Sequence, residues 1–93
     1  MSVEVRLPNL LRAVVNGAGA VDVEGETVGE ILQVLVSSHP GLAGQVLTDD
    51  GSLHRFVNVY LNDDDVRYLD GLVTKVAAGD VITILPAVAG GAV

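Results

Sequence analysis

Three consecutive carboxylates, Asp63-Asp64-Asp65, and two histidines, His39 and His54, are the side chains whose types suit metal or acid–base chemistry. Their spacing does not suit it. A calcium loop needs alternating ligands, a glycine at its sixth position and a glutamate at its twelfth, and nothing after Asp63 follows that pattern. Asp and Asn directly after a strand are ordinary turn residues, so the acidic run reads as a turn. Neither histidine has a second histidine or a carboxylate at zinc-ligand spacing. His39 precedes Pro40 at a helix end, where a cation is favoured by the helix dipole, and His54 opens a strand beside Arg55. Both read as structural or solvent-facing. No Ser-His-Asp or Cys-His constellation follows from the spacing. Gly25, Gly29, Gly41 and Gly44 match neither phosphate-loop pattern, G-x-G-x-x-G or G-x-x-x-x-G-K-[ST]. The chain has no cysteine, which excludes disulfides, thiolate metal sites, iron–sulfur clusters and thiol catalysis on it. No metal and no cofactor is expected on this chain, and its body carries no enzyme site.

What remains is the C-terminal stretch Pro86-Ala87-Val88-Ala89-Gly90-Gly91-Ala92-Val93. From Pro86 to Gly91 an extended chain reaches roughly 20 Å. Glycine has no Cβ, so these last residues can thread a narrow channel and lie close to a nucleotide. A terminal glycine carboxylate can attack the α-phosphate of ATP and become an acyl-adenylate. A sulfide or persulfide donor then displaces AMP and leaves a thiocarboxylate. This chemistry uses the main-chain terminus and needs no cysteine on the chain. Gly-Gly alone is also what an inert chain end looks like, because termini are commonly loose and rich in small residues.

The elements that must hold such an arm are legible in the patterning. The 93 residues make one domain, 49% of them apolar, with Phe56, Tyr60 and Tyr68 as the only aromatics. The core must therefore be built from Val, Leu, Ile and Ala, and the valines favour strands. Twelve acids against five bases leave a net charge of -7. That repels phosphate backbones, so nucleic acid is not an expected partner, and it suits meetings with basic protein surfaces. Lys75 is the only lysine. Ser2-Val3-Glu4-Val5-Arg6 has no apolar run of a signal peptide, and no stretch is long enough to span a membrane. The expected location is the cytoplasm, with no membrane partner.

Val3 to Leu7 alternates apolar and charged residues and reads as a half-buried strand; Ala20 to Glu24 repeats the pattern, and the two pair as a wide hairpin. Leu10 to Gly19 between them is less regular, and its Asn16-Gly17 and Ala18-Gly19 pairs read as loop. Thr27-Val28-Gly29-Glu30 fits a capping box. It opens a helix whose apolar face is Val28, Ile31, Leu32, Leu35 and Val36, ended by His39-Pro40-Gly41. Pro40 to Leu47 reads as a further short helical turn, ending at Asp49-Asp50-Gly51. Phe56 to Leu61 is a strand with Val57, Val59 and Leu61 on one face. Val66-Arg67-Tyr68 reads as a short return strand, and residues 81–85 as the last one. Phe56, Tyr60 and Tyr68 either mark a partner surface on the open sheet face or simply cover that face. One long helix covers only one face of a sheet, so the class is α+β: a mixed sheet curled around one main helix, a ubiquitin-like β-grasp. The domain is read as residues 1–86, and residues 87–93 as a flexible tail.

The stretches "LHRFVNVYLNDDDVR" (53–67), "AAGDVITILPAVAGG" (77–91) and "VEVRLPNLLR" (3–12), with the capped helix, resemble the MoaD/ThiS sulfur-carrier family across nearly the whole chain, and its cysteine-biosynthesis branch in particular. The resemblance implies a protein co-substrate and not an enzyme. It implies activation by a ubiquitin-activating-like adenylyltransferase and sulfurtransferase that uses ATP and magnesium, with Gly91 bearing the sulfur as a thiocarboxylate and Gly90 as its required neighbour. In the cysteine branch it further implies a PLP-dependent cysteine synthase that makes an aminoacrylate from O-phosphoserine. Attack by the thiocarboxylate and an S-to-N acyl shift then leave cysteine on the tail, to be freed by a JAMM-type zinc metalloprotease. Other members serve molybdopterin, thiamin or thiosugar-type synthases, and ubiquitin-like modifiers share the activation chemistry. The family terminus is Gly-Gly, whereas Ala92-Val93 follow here. The bond between Gly91 and Ala92 is therefore an expected processing site, cut by a metalloprotease before Gly91 can be activated.

Overall fold

A computed structural model describes residues 2–15, 17, 19–48, 50–54 and 57–86 of the chain. The elements run β1 (Ser2–Arg6), α1 (Asn9–Arg12), β2 (Ala20–Glu24), α2 (Val28–Ser38), β3 (Val57–Leu61), β4 (Asp64–Asp65) and β5 (Val81–Pro86), with short 3-10 turns between them. The sheet order is β2-β1-β5-β3-β4. β5 runs parallel to β1 and antiparallel to β3, and β1–β2 and β3–β4 are antiparallel hairpins. With one long helix against one face, this is the ubiquitin-like β-grasp that the pattern predicts.

Alternation puts Val3 and Val5 of β1, Val59 of β3, and Ile82 and Ile84 of β5 on the inner face, all fully buried. Opposite them lie Val28, Ile31, Leu32 and Leu35 of α2, also fully buried. The i, i+3, i+4, i+7 spacing of those four makes one helical stripe, and its burial against the sheet supplies most of the helix's stability. Leu42, Val46 and Val66 close the ends of this core. The helix start follows the expected chemistry with one shift. Thr27 Oγ1 accepts from the Glu30 amide at 3.2 Å, but the Glu30 carboxylate accepts from the Glu26 amide at 2.9 Å, one residue before the cap.

Two segments differ from the sequence reading. The stretch after Pro8 is not simply loop: Asn9–Arg12 is a helical turn and Ala13–Val15 a 3-10 turn. Leu11 and Val15, four residues apart, are both buried and cap one end of the core, so packing overrides the irregular local pattern. Val66–Tyr68 is not a return strand but a 3-10 turn, and the return strand is the two-residue β4. The Asp65 carboxylate accepts from the Arg67 amide at 2.8 Å, a local bond that starts a turn instead of extending a ladder, and Val66 then drops fully into the core.

Candidate functional site

β5 is the strand that delivers the C-terminal stretch, and it lies in the middle of the sheet. Glu4, Val5 and Arg6 of β1 face Val81, Ile82 and Thr83 on one side, while β3 pairs along the other from Leu61 opposite Ile82 to Val57 opposite Pro86. Ile82 and Ile84 anchor it in the core. Pro86 has no amide hydrogen to donate to the ladder, and Val57–Pro86 is the last rung among the described residues. Gly90, Gly91 and Ala92, the residues to which chemistry and processing were assigned, lie outside the described residues. What the structure defines is the root from which they extend.

That root is built by residues with no motif to announce them. Arg67, on the turn after β4, donates from Nη2 to the carbonyls of Val57 (2.9 Å) and His54 (3.3 Å) and from Nη1 to Asn58 Oδ1 (2.9 Å). β4 pairs only with Tyr60 and Leu61, so the guanidinium takes over where the short strand ends. On the β1 side, Arg12 Nε donates to the Leu7 carbonyl at 3.1 Å. Its guanidinium carbon lies 3.4 Å from where a Cβ on Gly19 would stand, so a side chain there would crowd it. Arg6 pairs with Glu4 at 2.6 Å on the same strand.

At the opposite end of β5, only the first residue of the acidic run is in a turn, with Asn62; Asp64–Asp65 form β4 because they pair back onto Leu61 and Tyr60, a correction to the turn reading of the whole run. Asn62 has φ 57; its Oδ1 accepts from the Val81 amide at 3.1 Å and its Nδ2 donates to Asp80 at 3.4 Å. Asp63 and Asp64 are exposed. Among the described residues no three His, Cys, Asp or Glu side chains converge on a metal position. His39 caps α2 through its backbone amide on the Leu35 carbonyl, and the amide of half-buried His54 donates to the Val46 carbonyl. Of the aromatics, Tyr60 lines a hollow of about 260 Å³ with Asn62, Asp63, Thr83 and Leu85 on the open face of the sheet. Tyr68 is 88% exposed on its 3-10 turn, and Phe56 lies outside the described residues. No helix among the described residues is long and apolar enough to cross a membrane.

A β-grasp fold whose central strand runs out toward a Gly-Gly pair defines a class of small ubiquitin-like carrier proteins. The chain belongs to the ThiS family, whose family model matches residues 5–91. It is 44% identical over 93 residues to the sulfur carrier protein CysO of Mycobacterium tuberculosis, covering 98% of this chain and 100% of that one. In the crystal structure of the Amycolatopsis orientalis BexX/CysO complex, one chain superposes with a TM-score of 0.86 at 46% identity, over 96% of this chain and 99% of that one. The crystal structure of SAMP1 from Haloferax volcanii matches with a TM-score of 0.82 at 36% identity, over 98% of this chain and 100% of that one. The sequence resemblance to the MoaD/ThiS carriers is thus a family membership.

Proposed function

We propose that this chain is a sulfur carrier: a protein co-substrate whose Gly91 carboxylate is activated and converted to a thiocarboxylate by partner enzymes. The observation that carries the proposal is the placement of β5. It is held by β1 at Val81 to Thr83 and by β3 from Ile82 to Pro86, and Gly90-Gly91 follow Pro86 four and five residues later. Roughly 20 Å of extended chain can thus enter a partner's channel while the folded body stays outside. The Gly91 carboxylate attacks the α-phosphate of ATP on an adenylating partner, and pyrophosphate leaves. Sulfide sulfur then attacks the Gly91 carbonyl and AMP leaves, so the carboxylate exchanges one oxygen for sulfur. Because Ala92-Val93 follow Gly91, the Gly91–Ala92 bond must first be hydrolysed, a step suited to a JAMM-type zinc protease.

The similarity to CysO proteins supports cysteine as the product, formed when sulfur passes to an acceptor held by a PLP-dependent synthase. Other sulfur acceptors, a pterin precursor or a natural-product synthase among them, would use the same arm, and the Amycolatopsis orientalis BexX/CysO complex supports engagement of a partner protein. The SAMP1 likeness favours a second reading, a modifier transferred to lysine amines. Incubating a chain ending at Gly91 with an activating enzyme, ATP, sulfide, the synthase and O-phosphoserine separates these readings. A cysteine adduct on Gly91 is the expected product. Adducts on protein lysines with no thiocarboxylate would replace the carrier reading with the modifier one.

A further inference from the structure

β2 ends the sheet, and its outer side pairs with no other described strand. Which backbone groups it leaves open follows from its neighbours. The Glu4 amide donates to the Asp80 carbonyl at 3.2 Å, and the Leu7 amide to the Gly19 carbonyl at 2.9 Å. Even-numbered residues of β1 therefore bond toward β5 and odd-numbered ones toward β2. Val5 lies opposite Val21 and Val3 opposite Val23, so Val21 and Val23 use their backbone groups on β1. In an antiparallel pair the intervening residues point the other way. Ala20, Asp22 and Glu24 thus turn their amides and carbonyls outward, and no other described segment bonds them. The opposite edge, β4, is two residues long and gives way to a turn.

The side chains along this edge are sorted by face. Ala20, Asp22 and Glu24 are exposed, whereas Val21 is half-buried and Val23 buried on the helix side. Ile31 of α2 lies 3.0 Å from where a Cβ on Gly25 would stand, and Gly29, on the other flank of the helix, closes on Leu72. Val34, three residues after Ile31 and 43% exposed, therefore lies on the β2 flank. Glu26 and Glu30 follow the strand, and neither they nor Asp22 and Glu24 form an ion pair among the described residues. The cations do not neutralise this edge. Arg6 pairs with Glu4, Arg12 lies against Gly19 before the strand begins, and Lys75 faces Thr27 beyond its end. Arg67, the run Asp63 to Asp65 and Asp70 lie with β4 and its turns, at the far edge of the sheet. Asp80 accepts from the Ala77 amide ahead of β5, and Asp50 from the Ser52 amide in its own loop.

We infer that β2 is a docking edge that takes up an extended segment of a partner protein as a sixth strand, basic at alternate positions and apolar between them. Residues opposite Asp22 and Glu24 put their side chains on the same face as those carboxylates, about 5 Å away, so Lys or Arg fits there. The residues between them turn to the helix side, over Val21 and toward Val34, where Val or Ile fits. Backbone bonds supply affinity and the alternating side chains supply the choice of partner. A second copy of this chain does not fit. Its outward positions are again Ala20, Asp22 and Glu24, so no pairing of β2 on β2 sets a cation against either acid, and like charges set opposite each other are destabilising. The edge is two strands away from β5, and the inference does not depend on the carrier reading.

The test follows the amides of the full chain by NMR as the peptide acetyl-Lys-Val-Lys-Val-Lys-Val-amide is added at low salt. The amides of Ala20, Asp22 and Glu24 should shift and exchange about tenfold more slowly, while those of Val21 and Val23, already bonded to β1, keep their exchange rates. Two further peptides separate strand pairing from charge alone. Acetyl-Lys-Pro-Lys-Pro-Lys-Pro-amide keeps the lysines but lacks half the backbone donors and resists the strand. Acetyl-Glu-Val-Glu-Val-Glu-Val-amide keeps the donors but meets like charge. Neither should protect the edge. An Asp22→Lys/Glu24→Lys chain should bind the lysine–valine peptide about tenfold more weakly and accept the glutamate–valine one. No response at β2, protection by the proline peptide, or equal binding of the two valine peptides by the parent chain overturns the inference. Protection of the same three amides on concentrating the chain without peptide makes a second copy the occupant and overturns the partner reading.

Discussion

Val57 stands opposite Pro86 on the last rung of the β3–β5 ladder, and Arg67 holds the Val57 carbonyl at 2.9 Å from the far side. The residue beside the root of the tail is thus fixed by a guanidinium that also spans to His54 and Asn58. Arg67→Ala removes these bonds. Hydrogen bonds from a charged donor contribute about 1.5–3 kcal/mol, and this one is partly exposed, so a loss of about 1–2 kcal/mol is expected in chemical denaturation. Amide exchange should quicken at Leu85, which pairs with Asn58, and stay slow at Val5 in the neighbouring hairpin. Equal acceleration at both would show that Arg67 has no local role at the root.

Asn62 tests the other end of β5. It combines a positive φ of 57 with a side chain that accepts from the Val81 amide. Asn62→Ala loses the bond and puts a methyl group in a left-handed conformation, for an expected loss of about 2 kcal/mol. Asn62→Gly loses the same bond but relieves the backbone, so it should be the milder change. The reverse order in thermal melts would mean that the backbone conformation is not the constraint.

Thr27→Ala removes the N-cap of α2, whose hydroxyl oxygen accepts from the Glu30 amide. The expected destabilisation is about 1 kcal/mol, or a fall in Tm of roughly 4–8 °C for a domain of this size. Thr27→Ser, which keeps the hydroxyl, should restore most of it.

Asp50 supplies a pH signature. The Thr48 hydroxyl, and then the Ser52 amide, hold its carboxyl below the ordinary aspartate value of 3.8. A carboxyl depressed in the folded state binds fewer protons there than in the unfolded chain. Its contribution to stability is therefore complete above 3.8 and disappears as pH falls through the lower folded value. Carboxyl NMR titration should find Asp50 ionised at a pH where unpaired aspartates are half protonated, and Thr48→Val should move it back toward 3.8.

The local rules carried much of this fold. Period-two alternation located β1, β2 and β3, and Thr27 with Glu30 marked the start of α2, because those patterns depend on neighbours within a few residues. Leu11 and Val15 were not legible as core: the helical turn that buries them is too short to show a period. Val66–Tyr68 was misread because its apolar and aromatic content suits a strand, while the Asp65 carboxylate bonding the Arg67 amide decides for a turn. The arginines at the tail root were missed for a different reason. Arg67 meets Val57 ten residues away and His54 thirteen away, and Arg12 meets Gly19 across a bend, contacts that no spacing encodes. The glycine pair is a different case: its proposed chemistry rests on residue type, order and the family resemblance, Gly90 and Gly91 lie outside the described residues, and the structure describes the anchored strand that precedes them.

The central claim is that Gly91, freed of Ala92-Val93, carries the sulfur. It is tested most directly by the intact mass of the protein isolated from its native host during sulfur transfer. The account predicts a chain ending at Gly91 whose mass exceeds that of the free acid by the difference between sulfur and oxygen. A sulfur-bearing chain that still retains Ala92 and Val93 would contradict it.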